Sequence, residues 1–505
     1  MTVHTEHISE VVSTPTVSSA QRFDLLGVPC LGRFLKWRWS RVTLQLLLCG
    51  ISLIMILHAF FGPQLAPKNL ATLLTWVHFR GLVVLVLLLA GNFFCMACPF
   101  MVPRMIARKI RLPQRRWPRW LRNKWPAIVL FVAVLFVYEL FDLWGDPWWT
   151  GALIVGYFLT ALGIDAIFQR ASFCKYVCPV GQFNFLSSTM SPLEVTVREP
   201  VICATCETKD CIRGRREVYD PDRHKSSEAN SLPIIQQGCE LALFQPRKVG
   251  NLDCTFCLDC VYACPHDNVG ILSRLPAESL ADDEVRSGIG RLGNRTDWTA
   301  LTIVFVFGAL LNAFAMVSPV YVLEATIASA TGLTVEWPIL MFLFAAALIF
   351  EPLILLGAAA FATRKWTGKS DNLRTIVHRF TRCLVPFGFG VWLAHYGFHF
   401  FTGVLTVIPV TQSAAQSLLG WSVFGEPQWQ LGGIPERFVF PIELGFLGLG
   451  IWGSLLVAWR ISIDFAPRAA KGAFIPWACV LVVLFLSACW ILTQPMDMRG
   501  TFLGG

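Results

Sequence analysis

Charge is scarce in this chain. Only 15% of its 505 residues are Asp, Glu, Lys or Arg, against 55% hydrophobic and 13% aromatic, and the mean hydropathy is +0.56. Soluble domains carry about a quarter charged residues, so this composition excludes an ordinary soluble enzyme and predicts a polytopic membrane protein. A clustered basic face is also missing. The formal charge of +9 is spread through short loops between apolar runs, so no nucleic-acid partner is expected. There is no C-x-x-C-H run, which excludes covalently attached c-type haem. Residues 1–21 are polar and Ser/Thr-rich, so a disordered tail is expected there rather than a signal peptide. Gly288-x-Gly290-x-x-Gly293 lacks the preceding strand and βαβ unit of a dinucleotide fingerprint and reads as a flexible linker. No nucleophile with a paired acid or base stands out, so a redox subunit is expected rather than a stand-alone catalyst.

What is present is apolar length. Crossing a hydrocarbon core of about 30 Å takes about 20 apolar residues, and nine runs qualify: 42–62, 79–99, 126–145, 150–169, 299–320, 337–360, 384–409, 438–459 and 473–494. Lys and Arg concentrate in alternate loops. Arg33, Lys36, Arg38 and Arg41 precede the first run, Arg104 to Lys124 follow the second, and Arg364 to Arg382 follow the sixth, whereas the opposite loops hold little more than Lys68 and Arg437. The positive-inside rule then puts the N-terminus in the cytoplasm and, after nine crossings, the C-terminus in the periplasm of a bacterial inner membrane. The chain divides into a cytoplasmic tail (1–41), a four-helix membrane unit (42–169), one long polar and cytoplasmic segment (170–298) and a five-helix membrane unit (299–505).

The polar segment holds a dense set of thiols. Cys254, Cys257, Cys260 and Cys264-Pro265 form a C-x2-C-x2-C-x3-C-P run, in which three thiolates wrap one [4Fe-4S] cube and the fourth serves a second. Upstream stand Cys203, Cys206, Cys211 and a lone Cys239. Crossing the sets gives Cys203, Cys206, Cys211 and Cys264 for one cluster, and Cys239, Cys254, Cys257 and Cys260 for the other. Zinc uses only four ligands per ion and leaves the third Cys and the C-P ending unexplained. A disulfide framework does not suit a chain this long. Leu193-Glu194-Val195-Thr196-Val197 reads as a strand among turn-rich surroundings. The predicted fold is thus an all-α polytopic membrane bundle of about nine transmembrane helices with an inserted α+β ferredoxin-like two-cluster module. Cys30, Cys49, Cys383, Cys479 and Cys489 are isolated and read as buried small hydrophobes.

Two further motifs lie at helix ends: Cys95-Met96-Ala97-Cys98-Pro99 after the second run, and Cys174-Lys175-Tyr176-Val177-Cys178-Pro179 after the fourth. They read as an internal repeat of two hairpins. If the hairpins pack about a pseudo-twofold axis, the four sulfurs could hold an iron, a copper or a [2Fe-2S] centre, or cycle as dithiol and disulfide. Together with the two-cluster run, these motifs resemble the membrane polyferredoxin family of NapH-, NosR- and CcoG-like proteins over roughly residues 75–275. The resemblance implies electron transfer to or from the quinone pool, or reduction of a metal centre. The chain departs from that pattern in three places. Cys95 to Pro99 is one residue short of C-x3-C-P, four residues precede Cys211, and no Pro follows Cys239.

Ionisable groups inside spans are costly and count as functional candidates. His58, His78, Arg80, His395 and His399 fall in the outer half of the predicted membrane. His395 and His399 share one helix face and could bind a quinol headgroup, or a b-type haem with His58 or His78 as the opposite ligand. Glu139, Asp142, Asp165, Glu351 and Glu443 are either paired structural groups or proton-path carboxylates. Because the clusters lie inside, either the quinone site is on the inner side near Cys95 and Cys174, or a haem bridges the gap. The expected function is electron transfer between a quinone or membrane redox partner and a cytoplasmic donor or acceptor through two [4Fe-4S] clusters. Its rival is a maturation or assembly factor that reduces copper or thiols for a respiratory metalloenzyme. A transporter with an iron-sulfur sensor is a third class, suggested by Pro352 and Pro441 inside spans.

The topology carries a direct test. Alkaline phosphatase fused at Glu278 should be inactive and a C-terminal fusion active; an active Glu278 fusion would put the thiol-rich segment in an oxidising compartment.

Overall fold

The computed structural model describes residues 22–109, 115–217, 233–420, 422 and 424–496. The tail 1–21, the C-terminal residues and part of the basic loop after the second run lie outside the described residues. The described chain is mostly helical, with little sheet. Every one of the nine apolar runs contributes a helix. Among the described residues seven are long and apolar enough to cross a membrane: Ser40–Phe61, Leu70–Leu89, Pro147–Ile167, Thr296–Phe314, Trp337–Thr367, Glu436–Phe465 and Pro467–Leu492. The bent pair Leu373–Gly403 and Val407–Ser417, meeting at 62°, makes an eighth if counted as one span.

The count is therefore lower than nine, for two reasons. Run 126–145 yields only Trp125–Leu140, 16 residues long, which at about 1.5 Å per residue falls short of the hydrocarbon core. Run 384–409 breaks after Gly403, where the loop 432–434 tucks against the helix end: Leu405 N donates to Gly432 O (2.8 Å) and Ile434 N to Phe401 O (2.8 Å).

The second span begins earlier than its apolar run. Asn69 caps it, accepting from Ala71 N (2.9 Å) while its amide donates to the carbonyls of His58 (2.8 Å) and Pro63 (2.9 Å). His78 and Arg80 consequently lie well inside the span instead of near its start, and His78 sits in a π-helical stretch, Leu73–Phe79. The helix stops at Leu89 because Gly91 adopts a φ of 98° and lets the Phe256 ring approach to within 2.7 Å of where a Cβ would be. Cys95 thus belongs to a separate short helix, Phe93–Ala97.

Thr296–Phe314 is the central helix, buried on nearly every side. Val385–Gly403 links the two membrane units, packing on Thr296–Phe314, on Arg80–Leu89 and on Glu436–Phe465; Trp392 Nε1 donates to Phe305 O (2.9 Å). Its contact with Glu436–Phe465 rests on small residues. A Cβ at Gly390 would meet Phe446 O at 2.8 Å, and one at Gly450 would meet Pro386 O at 3.0 Å.

The polar segment starts inside this packing. Helix Pro179–Ser187 is buried, with Phe183 edge-on to Trp392 at 5.3 Å. Strand β1 (Leu193–Val197) pairs antiparallel with Val269–Ser273, Leu193 opposite Ser273 and Val197 opposite Val269. Asp24 joins their edge by bridging to Leu272 and pairing with Arg198 (2.7 Å). The glycine-rich stretch at 288–293 is an ordered turn and not a flexible linker. Gly288 and Gly290 take positive φ, and buried Arg286 donates to the carbonyls of Ser279 and Asp282. Of the five isolated cysteines only Cys383 is buried. Cys49 and Cys489 are half-exposed and Cys479 exposed on span surfaces, where lipid supplies the apolar surroundings; Cys30 is exposed on a short helix before the first span.

Gly390→Val should lower stability by about 1–3 kcal/mol through overpacking, whereas Gly445→Ala, with nothing within 4 Å, should leave the melting temperature in detergent unchanged.

Candidate functional site

The eight cysteines of the polar segment fall into two groups of four. Cys203, Cys206, Cys211 and Cys264 line one small cavity, together with Asn268 and Phe244. Asn268 donates from Nδ2 to Cys203 Sγ (3.3 Å) and from its backbone N to Cys264 Sγ (3.3 Å). Burial, and then the other three sulfurs, push the Cys211 thiol up to about 11. The second group is buried deeper. Cys239, Cys254 and Cys260 lie in one hydrophobic cluster, and burial, then Asp259 and Cys239, hold the Cys257 thiol well above the usual thiol range. Leu243 N donates to Cys239 Sγ at 3.4 Å.

The loop of the second group is strained. Asp253, Phe256 and Leu258 have φ of 58°, 55° and 61°, a left-handed conformation that costs a non-glycine residue about 1–3 kcal/mol and persists only where the surroundings enforce it. Phe256 is held by Phe93, at 5.6 Å between ring centroids. Among the described residues no three His, Cys, Asp or Glu side chains meet around one point as a single ion requires. An iron-sulfur cluster makes no such demand, because its thiolates bind at separate irons.

A third group of thiols lies against the membrane helices. Cys95, Cys98, Cys174 and Cys178 line one cavity of about 190 Å³. Each C-P pair uses its proline to begin a helix: Cys178 is the N-cap of Pro179–Ser187 and Cys98 precedes Pro99–Met101. Cys178 Sγ accepts from Gly181 N (3.2 Å) and Cys95 Sγ from Asn184 Nδ2 (3.3 Å). Cys174 occupies a π-helical turn, Phe173–Val177, whose first N–H is held by Asp165 (3.0 Å), and its Sγ is 3.4 Å from Met101 Sδ. Burial pushes the Cys95 thiol up to about 11 and the Cys178 thiol up to about 12.

The Cys254 loop borders this cavity. Thr255 lines it, and Asn92 Nδ2 donates to Cys254 O (2.9 Å). Buried cations tie the two regions together. Lys124 Nζ reaches Asp253 Oδ1 (2.5 Å) and Lys175 O (2.8 Å), while Lys175 Nζ donates to Leu241 O (2.6 Å). Arg104 joins Glu240 (2.6 Å) to Asp165 (3.7 Å), and Arg41 pairs with Asp259 (2.8 Å). Three of the basic residues counted for the charge pattern, Arg41, Arg104 and Lys124, are therefore also partners of acids, three of which adjoin cysteines.

Deeper in the bundle the cavity meets Arg80, Trp76 and Tyr396. The Arg80 guanidinium lies 4.4 Å from the Trp76 ring centroid, 4.5 Å from Tyr138 and 5.0 Å from Tyr396. The four histidines do not converge. His58 accepts from Leu70 N at Nδ1 (3.0 Å) and contacts Ser417 Oγ at Nε2 (3.3 Å), so both ring nitrogens are engaged. His78 contacts the carbonyls of Leu73 (3.4 Å) and Val404 (3.3 Å). His395 and His399 do stand together, ring centroids 5.2 Å apart, each with Nε2 buried and without a hydrogen-bond partner among the described residues. Glu139 accepts from Asn312 (3.2 Å) and Asp165 supports the Cys174 turn, so these two carboxylates have structural partners.

Sequence reasoning passed over Asn184, Asn268, Met101, Trp76 and Tyr396, none of which belongs to a motif. Only the sulfur-directed amides had a sequence signal, an Asn shortly after two of the three C-P steps, and it is weak. Comparison with family models, with curated proteins and with solved structures returned no match.

Lys124→Met should strand Asp253 and cost about 3–5 kcal/mol, whereas Lys124→Met with Asp253→Leu should recover most of it. Denaturant melts in detergent would measure both, and equal losses would show that the pair is not coupled.

Proposed function

We propose that this membrane protein carries electrons between a quinone in the bilayer and a cytoplasmic redox partner through two [4Fe-4S] clusters. The observation that carries the reading is the grouping of the eight cysteines: Cys264 stands with Cys203, Cys206 and Cys211, while Cys239 stands with Cys254, Cys257 and Cys260. The donor set fits. Each group offers four thiols, and amide N–H groups from Asn268 and Leu243 point at the sulfurs, the kind of hydrogen bond that tunes cluster potentials. When bound, the clusters supply one-electron transfer.

The chain's own residues give the path its ends. The Cys203 group is nearer the surface, beside exposed Pro265 and His266, where a cytoplasmic protein could dock. The Cys254 group abuts the membrane cavity through Thr255. Arg80 and Tyr396 are polar groups that a quinone oxygen would meet in that otherwise aromatic and aliphatic cavity. Such a site on the Cys95 side makes a haem relay unnecessary, and His58, with both nitrogens engaged, is a poor axial ligand.

A second reading, reduction of copper or thiols for the maturation of a respiratory metalloenzyme, is favoured by the four thiols in the same cavity. A single copper ion fits them less well, because among the described residues no three ligands converge on one point.

Quinol added to anaerobic proteoliposomes should bleach the cluster absorbance near the thiolate-to-iron bands. Cys264→Ser should remove the signal of the Cys203 group while the Cys254 group stays reducible. Bleaching by a cytoplasmic reductant but never by quinol would reject the quinone partner; loss of the Cys254 signal alone would reject the crossed ligation.

A further inference from the structure

The four cysteines of the membrane cavity have a chemistry of their own. Cys95, Cys98, Cys174 and Cys178 come from two similar Cys-Pro segments and face one cavity. Two of the four sulfurs receive N–H donors. Cys95 accepts from Asn184, and Cys178 from Gly181 at the start of a nine-residue helix. Donors aimed at sulfur favour thiolate over thiol. Thiolates in an apolar cavity are expensive unless a cation neutralises them, so the site is built for a positively charged, sulfur-loving occupant.

The arrangement narrows the choice. A lone zinc or copper ion draws three or four sulfurs to one point, and no such point exists among the described residues. Two pairs, one from each segment, match instead a cluster in which each iron takes two thiolates. The Asn184 amide reaches across from one segment to the other's Cys95, which fixes the pairs relative to each other.

We propose that Cys95, Cys98, Cys174 and Cys178 ligate a third iron-sulfur cluster, of the [2Fe-2S] type, at the membrane face of the protein. Cys95 and Cys98 hold one iron, Cys174 and Cys178 the other. Asn184 is a positioning residue, whose amide stabilises the more negative, reduced state. The site goes beyond the two-cluster reading above and stands independently of it, since none of its ligands belongs to the other two groups.

The test reads this site by difference in the full-length protein, purified anaerobically. Wild type should contain about ten irons and ten acid-labile sulfides, and Cys95→Ser with Cys174→Ser should lose about two of each while the paramagnetic signals of the other clusters persist. A loss of about four would overturn the [2Fe-2S] assignment, because a cube would then occupy the site. Asn184→Leu keeps all the ligands and should leave the iron content unchanged while moving one cluster's midpoint to lower potential. Alkylation supplies a readout that does not depend on the double variant folding: the four thiols should react with maleimide only after iron is chelated. Unchanged iron in the double variant, or free alkylation of the four thiols in iron-replete wild type, would overturn the proposal. If the cytoplasmic clusters are fewer than two, the total falls but the difference of about two remains, so the two readings fail separately.

Discussion

The structure depends on charge buried where the polar segment meets the membrane helices. Lys124, Arg104 and Arg41 stand at or near helix starts and end beside Asp253, Glu240 with Asp165, and Asp259. Each of those acids except Asp165 adjoins a cysteine of the polar segment, and Asp165 supports the turn that carries Cys174. Burying ions costs several kcal/mol each unless their partners are well placed. The pairs therefore act as registers: a shift of the polar segment on the bundle would strand charges on both sides. This explains how strained loops such as Asp253–Leu258 can be held in place.

That register sets the functional geometry. Because Thr255 reaches the cavity that holds the membrane cysteines, the thiol groups form a continuous series from the surface to the bundle. The cavity then runs beside the second span toward Trp76, roughly 20 Å from the Leu89 end at helical rise. The later helices take part in it: Val385–Gly403 supplies Tyr396 and packs Trp392 against Phe183. They form a wall of the candidate site, and with Thr296–Phe314 they make one packed core with the first unit.

The polar groups inside the bundle divide between structure and chemistry. His58 fastens a helix start and Glu139 meets Asn312, so their conspicuous positions in the sequence reflect satisfied hydrogen bonds. Arg80 lies among three aromatic rings at the cavity wall, and His395 and His399 each have an Nε2 without a hydrogen-bond partner among the described residues. Under the proposed electron-transfer reading, these are the groups that a quinone headgroup or a proton would meet.

The membrane class, the helical runs and the strand at Leu193–Val197 were legible in the sequence, because apolar length and alternation are local properties. The nearness of Cys254, Cys257 and Cys260 was legible for a similar reason, since three thiols within seven residues cannot avoid one another, whereas the placing of Cys264 beside Cys203, Cys206 and Cys211 is a tertiary contact. Span ends were less legible. The second span starts at Leu70 because Asn69 caps it, and it stops short of Cys95 because Phe256 crowds Gly91, a contact between distant parts of the chain. Only the tertiary structure gathered Cys95, Cys98, Cys174 and Cys178 around one cavity and chose their partners. The Asn184 to Cys95 bond spans 89 residues and the Lys124 to Asp253 pair 129. No spacing rule reaches across such separations, since which residues meet there is decided by how whole helices pack.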